Sequence, residues 1–104
     1  MDAHPGIVFR DGPAGRRAVL IGGPDVWEVI KAVRAVRDTN RRLKGAAVSA
    51  AVHEHTGVNP ERIEAALAYY GEFADEIDER LAQDSALEAE LLVAMQRRTE
   101  LLGA

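Results

Sequence analysis

The apolar positions of this chain fall first into two short runs and then into helical spacing. Ile7-Val8-Phe9 and Ala18-Val19-Leu20-Ile21 flank Asp11-Gly12-Pro13-Ala14-Gly15. β-branched and aromatic runs around a Gly/Pro turn predict a β-hairpin over residues 5–22. Gly12 and Gly15 can take positive φ, and Pro13 cannot continue a paired strand. A lone hairpin is marginal in water, so this ribbon must pack on helices or pair with a second copy.

From Val26 the spacing is helical. Val26, Trp27, Val29, Ile30, Val33 and Val36 predict a helix from Pro24 to Asp38, with Pro24 in the first turn and Asp25 and Glu28 at the positive end of its dipole. Trp27, the only Trp, reads as a core anchor. After Thr39-Asn40 the basic connector Arg41-Arg42-Leu43-Lys44-Gly45 leads to an Ala-rich helix, Ala46 to His55, with Gly57 as its left-handed cap. Asn59-Pro60-Glu61 starts the next helix. Ile63, Ala66, Leu67, Tyr70, Ile77 and Leu81 carry it to about residue 82, and Gly71 interrupts it, at a cost of about 1 kcal/mol, as a possible point of close packing. Ser85-Ala86-Leu87-Glu88 has capping-box spacing and predicts a separate last helix over 85–102. Its Leu91, Leu92, Met95 and Leu102 leave two readings open, a dimerisation arm or a helix folded back on its own chain. The fold class expected is therefore mainly α: a short N-terminal hairpin, then a helix-turn-helix-like bundle with long C-terminal helices, as one domain.

At 104 residues the chain can bury one modest core, which leaves no room for a large multidomain enzyme. It has no Cys, hence no disulfide framework, thiolate nucleophile or zinc-thiolate site. Neither an export signal nor a run of 18 apolar residues is legible, so a cytoplasmic chain without a membrane role is expected. The net charge of -4 hides an asymmetry. Residues 1–52 hold nine basic against five acidic side chains, and residues 53–104 hold four against twelve. Such a split suits phosphates or an acidic partner at one end and a basic protein at the other, although any helical domain also scatters charge over its solvent face.

Most candidate chemistry fails on geometry. The imidazoles of His53-Glu54-His55 lie about 200° apart on a regular helix and cannot share one metal ion. Gly12-Pro13-Ala14-Gly15-Arg16-Arg17 lacks the Lys-Ser/Thr of a phosphate loop and leads into a strand. Asp75, Glu76, Asp78 and Glu79 lie on a solvated helix face without the pocket that would separate their pKa values. Neither a metal, a cofactor nor a catalytic set is expected. A helix-turn-helix spanning Ala46–His55, Thr56-Gly57-Val58 and the helix from Asn59 fits in part. His53 stands where such a motif wants a small side chain, and only Asn59 and Arg62 could read base edges. Contact with DNA would then fall to Arg16, Arg17, Arg41, Arg42 and Lys44 in a dimer that doubles the positive patch.

The hairpin leading into Gly22-Gly23-Pro24-Asp25-Val26-Trp27-Glu28-Val29-Ile30, and Val58-Asn59-Pro60-Glu61-Arg62-Ile63 running through Ala66-Leu67-Ala68-Tyr69-Tyr70 to Asp75-Glu76-Ile77-Asp78, resemble the domain-of-unknown-function 433 family. These are small helical proteins described as antitoxin-like. The likeness covers about Pro5 to Leu81. The family's Gly-Thr-Arg after the second strand is replaced here by Ile21-Gly22-Gly23-Pro24-Asp25, which puts the chain in a divergent branch. The resemblance implies a helix-turn-helix core behind a short ribbon, a homodimer, and the antitoxin half of a toxin-antitoxin pair, with promoter DNA as a further partner. On that reading Asp75, Asp78, Leu91, Leu92, Met95 and Leu102 are the candidate contacts for a basic toxin. The rival reading is an interaction module with no DNA affinity. An enzyme with a small pocket near Trp27 and Tyr70 ranks last, for want of a nucleophile, base or metal set.

Overall fold

The computed structural model describes residues 4–13 and 15–103; Ala14 of the predicted turn lies outside them. Two antiparallel strands, β1 (Ile7–Gly12) and β2 (Gly15–Leu20), precede four helices: α1 (Val26–Thr39), α2 (Ala46–Thr56), α3 (Pro60–Glu72) and α4 (Ala74–Leu102). The pairing runs from Ile7 opposite Leu20 to Gly12 opposite Gly15. Asp11, Gly12 and Gly15, assigned to the turn on composition, therefore belong to the ladder. Ile7, Ala18 and Leu20 are buried on the face turned to the helices.

Gly22 (φ +66°) turns the chain so that the Leu20 N–H donates to the Pro24 carbonyl at 3.0 Å. That bond keeps Pro24 outside the helix. Asp25 becomes the N-cap of α1 instead, its own N–H donating to the Glu28 carboxylate at 3.1 Å. The other signals act as read. Gly57 is left-handed at φ +76° and closes α2, and the Asn59 side chain accepts from the Glu61 N–H at 2.7 Å with Pro60 in the first turn of α3.

Two further helix boundaries differ from the sequence expectation. The long third helix breaks at Phe73 rather than at Gly71, and a methyl group on Gly71 would meet only open space, so no close packing explains that glycine. The Phe73 ring lies 4.7 Å from that of Tyr69 and 5.6 Å from that of His4, which holds the corner. Beyond it α4 is reset so that Ile77 and Leu81 face the core. At Ser85, by contrast, there is no break, and α4 runs 29 residues through it. Ala82, Gln83, Ala86, Leu87 and Glu88 are strong helix formers, and one cation, Lys31, bonds Asp84 and Glu88 on either side of Ser85.

The core sits where ribbon and helices meet. Leu20, Val26, Val52, Ile63 and Tyr69 are its largest fully buried side chains. Helices α2 and α3, joined by Gly57-Val58-Asn59, contribute Val48, Val52, Ile63 and Ala66 to it, and Ser49 Oγ donates to Glu64 across their exposed side at 3.0 Å. No described helix is long and apolar enough to cross a membrane.

Candidate functional site

The basic residues of the N-terminal half do not form one patch. Arg17 Nε lies 2.8 Å from Asp25 at the start of α1, and the Arg16 guanidinium stacks 3.9 Å from the centre of the Phe9 ring. Arg41, Arg42 and Lys44 follow the other end of α1, a helix of 14 residues, so about 20 Å of helix separates the two groups. All three are exposed, and among the described residues they make no salt bridge. Arg62 belongs to neither group. Its guanidinium lies against the Gly22-Gly23 turn, where a methyl on Gly22 would stand 3.3 Å from it. The Asn59 side chain is occupied by its cap bond.

A groove of about 490 Å³ runs between the ribbon and the α1–α4 surface, lined by Arg16, Arg17, Trp27, Arg80 and Gln83 among others. Arg80 covers the Trp27 ring at 4.3 Å. Trp27 is thus only partly buried, packed against the core on one side and under a guanidinium on the other. The sequence offered no sign of Arg80, since its role depends on where α4 crosses α1. Asp25 and Glu28 share this groove, and Glu76 and Glu79 line the adjoining one of about 220 Å³. The local charge is mixed.

Much of the charge asymmetry is spent inside the chain. Lys31 Nζ lies 2.7 Å from both the Asp84 and Glu88 carboxylates. Hydrogen bonds to Asp84 and Glu88 hold the ammonium above its ordinary value, and the bond to Lys31 holds Asp84 below the ordinary carboxylate value. Arg34 pairs with Asp78 and donates to the Tyr70 hydroxyl at 3.1 Å, and that hydroxyl donates to Asp78 at 2.9 Å. Asp78, a candidate for a toxin, is accordingly engaged by its own chain. Asp75 is exposed and makes no such bond among the described residues. Tyr69 and Tyr70 each give a hydroxyl hydrogen to a carboxylate of α4, Glu76 and Asp78 respectively. The Tyr-Tyr and Asp-Glu-Ile-Asp segments that carried the family resemblance therefore hold the α3–α4 corner together.

His53 is exposed and reaches over the turn between α2 and α3. Its Nδ1 donates to the Val58 carbonyl at 2.8 Å, the carbonyl being able only to accept. Among the described residues no group of His, Asp and Glu side chains could hold a metal ion.

The remaining candidate surface is the far half of α4. Leu81 is its last buried residue. Beyond it Leu87, Leu91, Leu92, Met95 and Leu102 are each between 57% and 66% exposed, and Leu101 reaches 87%. The helix does not fold back on its own chain; it projects, and the molecule extends 55 Å along its longest axis. No family model, no curated protein and no solved structure matches this chain.

Proposed function

We propose that this protein is a small association module, antitoxin-like in its working, that acts by laying the projecting half of α4 against another protein chain. One observation carries the reading: a run of exposed leucines on a helix that has left its own core. Leu87, Leu91, Leu92, Met95, Leu101 and Leu102 are all more than half exposed on one helix, more than the scattered single apolar residues that need no partner. The body serves as the platform, with the ion pairs of Lys31 and Arg34 fixing the angle at which the arm leaves it. The resemblance to the domain-of-unknown-function 433 family would add a basic toxin as a partner of the acidic body of the assembled protein, where Asp75 is exposed and the chain's net charge of -4 favours a cationic protein over an anionic one.

The test is co-expression with the product of the adjoining reading frame. The native chain is expected to relieve growth arrest caused by that product, and Leu91→Asp, placed on the exposed arm, to lose the relief while remaining folded. Arrest that the native chain does not relieve, or relief untouched by Leu91→Asp, contradicts the reading.

A second reading, promoter DNA, draws on Arg41, Arg42 and Lys44, which are exposed and unpaired among the described residues. Arg16, Arg17, Asn59 and Arg62 carry less of it, being held by Asp25, Phe9, a helix cap and the Gly22-Gly23 turn.

A further inference from the structure

Of the charges on the projecting arm that Lys31 does not hold, Glu90 lies toward the body and Arg97 and Arg98 toward the far end, with Glu100 beyond them. At about 100° per residue, Leu87, Leu91, Ala94, Arg98 and Leu101 fall in one stripe with alternating steps of four and three, the spacing of helices that pair along a seam. Met95 and Leu102 border the stripe on one side, Glu90 and Arg97 on the other. Arg98 interrupts it, and Asp84 continues it toward the body.

We propose that the occupant of this stripe is a second copy of the chain, with the two α4 arms antiparallel and Glu90 of each arm facing Arg97 of the other. The inference rests on reading the arm as an association element and names what covers it. Charge decides the direction. In a parallel pair each stripe position meets itself, so Arg98 faces Arg98 and two like charges are forced together in the seam. The antiparallel alignment that layers Leu91 on Ala94 also layers Leu87 on Arg98 and Asp84 on Leu101. No like charges meet there. The same alignment brings Glu90 and Arg97, on one flank of the stripe, opposite each other, and symmetry makes that contact twice. Length agrees as well. The helix end set by Gly103, at φ +72°, falls opposite Gln83, just beyond the last buried residue Leu81. The arms then overlap along their exposed length.

The chain has no native Cys, so Gln83→Cys gives a single labelling point on an exposed residue. Pulsed dipolar spectroscopy of the spin-labelled full chain is expected to give a separation of about 30 Å, the rise of about nineteen residues between the two positions. A parallel pair would place the labels about 10 Å apart. Glu90→Arg and Arg97→Glu are each expected to weaken dimerisation about fivefold, as loss of two exposed pairs should, and the double variant to recover the native constant. Glu90 and Arg97 are two turns apart on one helix, so recovery reports contact between chains. A separation near 10 Å, single variants without effect, no recovery in the double variant, or a monomer at every concentration overturns the pairing. A monomer whose Leu91→Asp variant still loses relief of growth arrest overturns the pairing alone, with the association reading intact.

Discussion

Tyr69, buried near the end of α3, donates its hydroxyl hydrogen to Glu76 in the first turns of α4 at 2.8 Å, across the break at Phe73. Burial, and then the Glu76 carboxylate, push the phenol well above its ordinary value. A bond of this kind, to a charged acceptor, fixes the direction in which α4 sets out and hence where its arm points.

Tyr69→Phe keeps the ring and removes the bond. An expected loss of about 1.5 kcal/mol follows from a hydrogen bond to a charged group. Because the folded-state pKa is raised, the tyrosine's contribution is complete below the unfolded value of about 10 and declines as pH rises above it. The stability gap between native chain and variant, read by urea unfolding, should therefore be constant from pH 7 to 9 and narrow toward pH 11. A gap that widens there would contradict the assignment.

Lys31→Met removes the clamp across Ser85. Asp84 is held below its ordinary value by Lys31, so the native advantage is present above about pH 4 and fades as pH falls through that range. Thermal unfolding should show a lower Tm for Lys31→Met at pH 7 and convergence of the two chains near pH 3. The difference should also shrink in 1 M salt, since the groups are solvent-accessible.

Two glycine substitutions should act in opposite directions. Gly57→Ala forces a side chain into φ +76° and is expected to cost about 1 kcal/mol. Gly71→Ala lies within α3 with open space around the new methyl, and should stabilise by about 0.5 kcal/mol. Denaturant midpoints of the two variants, measured together, check both signs.

Under the promoter-DNA reading, the connector after α1 should hold the duplex. Arg41→Glu with Arg42→Glu is expected to abolish retardation of promoter DNA at low ionic strength without changing Tm. Arg17→Glu should instead lower Tm, because it sets two carboxylates together at the start of α1. Equal loss of retardation in both variants at unchanged Tm would return the ribbon to the interface.

Local signals were legible wherever one residue decides the backbone. Asn59-Pro60 starts α3 and Gly57 ends α2 as read, and the runs on either side of Pro13 do pair. The misjudged boundaries depend on contacts distant in sequence. Ser85 reads as a cap until Lys31, from α1, is seen to bridge the helix across it, and Gly71 reads as the weak point until the Phe73 and Tyr69 rings are seen to hold the corner. The charge split was legible as composition but not as geometry. Lys31 and Arg34 neutralise Asp84, Glu88 and Asp78 inside the fold, so the two halves do not act as separate poles. Arg80 on Trp27 is a contact of the same kind, invisible until α4 is laid over α1. The exposed arm was half legible. Its leucines stood out in the sequence, and the structure decides between projection and folding back.

Sedimentation equilibrium of the native chain and of Leu91→Asp, from about 5 to 500 µM, tests the central claim that this arm is covered by a second copy. The native chain should approach twice its 11.3 kDa as concentration rises, while Leu91→Asp stays at the monomer mass with an unchanged helical circular dichroism spectrum. A native chain that remains at 11.3 kDa throughout, or a Leu91→Asp variant that dimerises as well as the native chain, would contradict it.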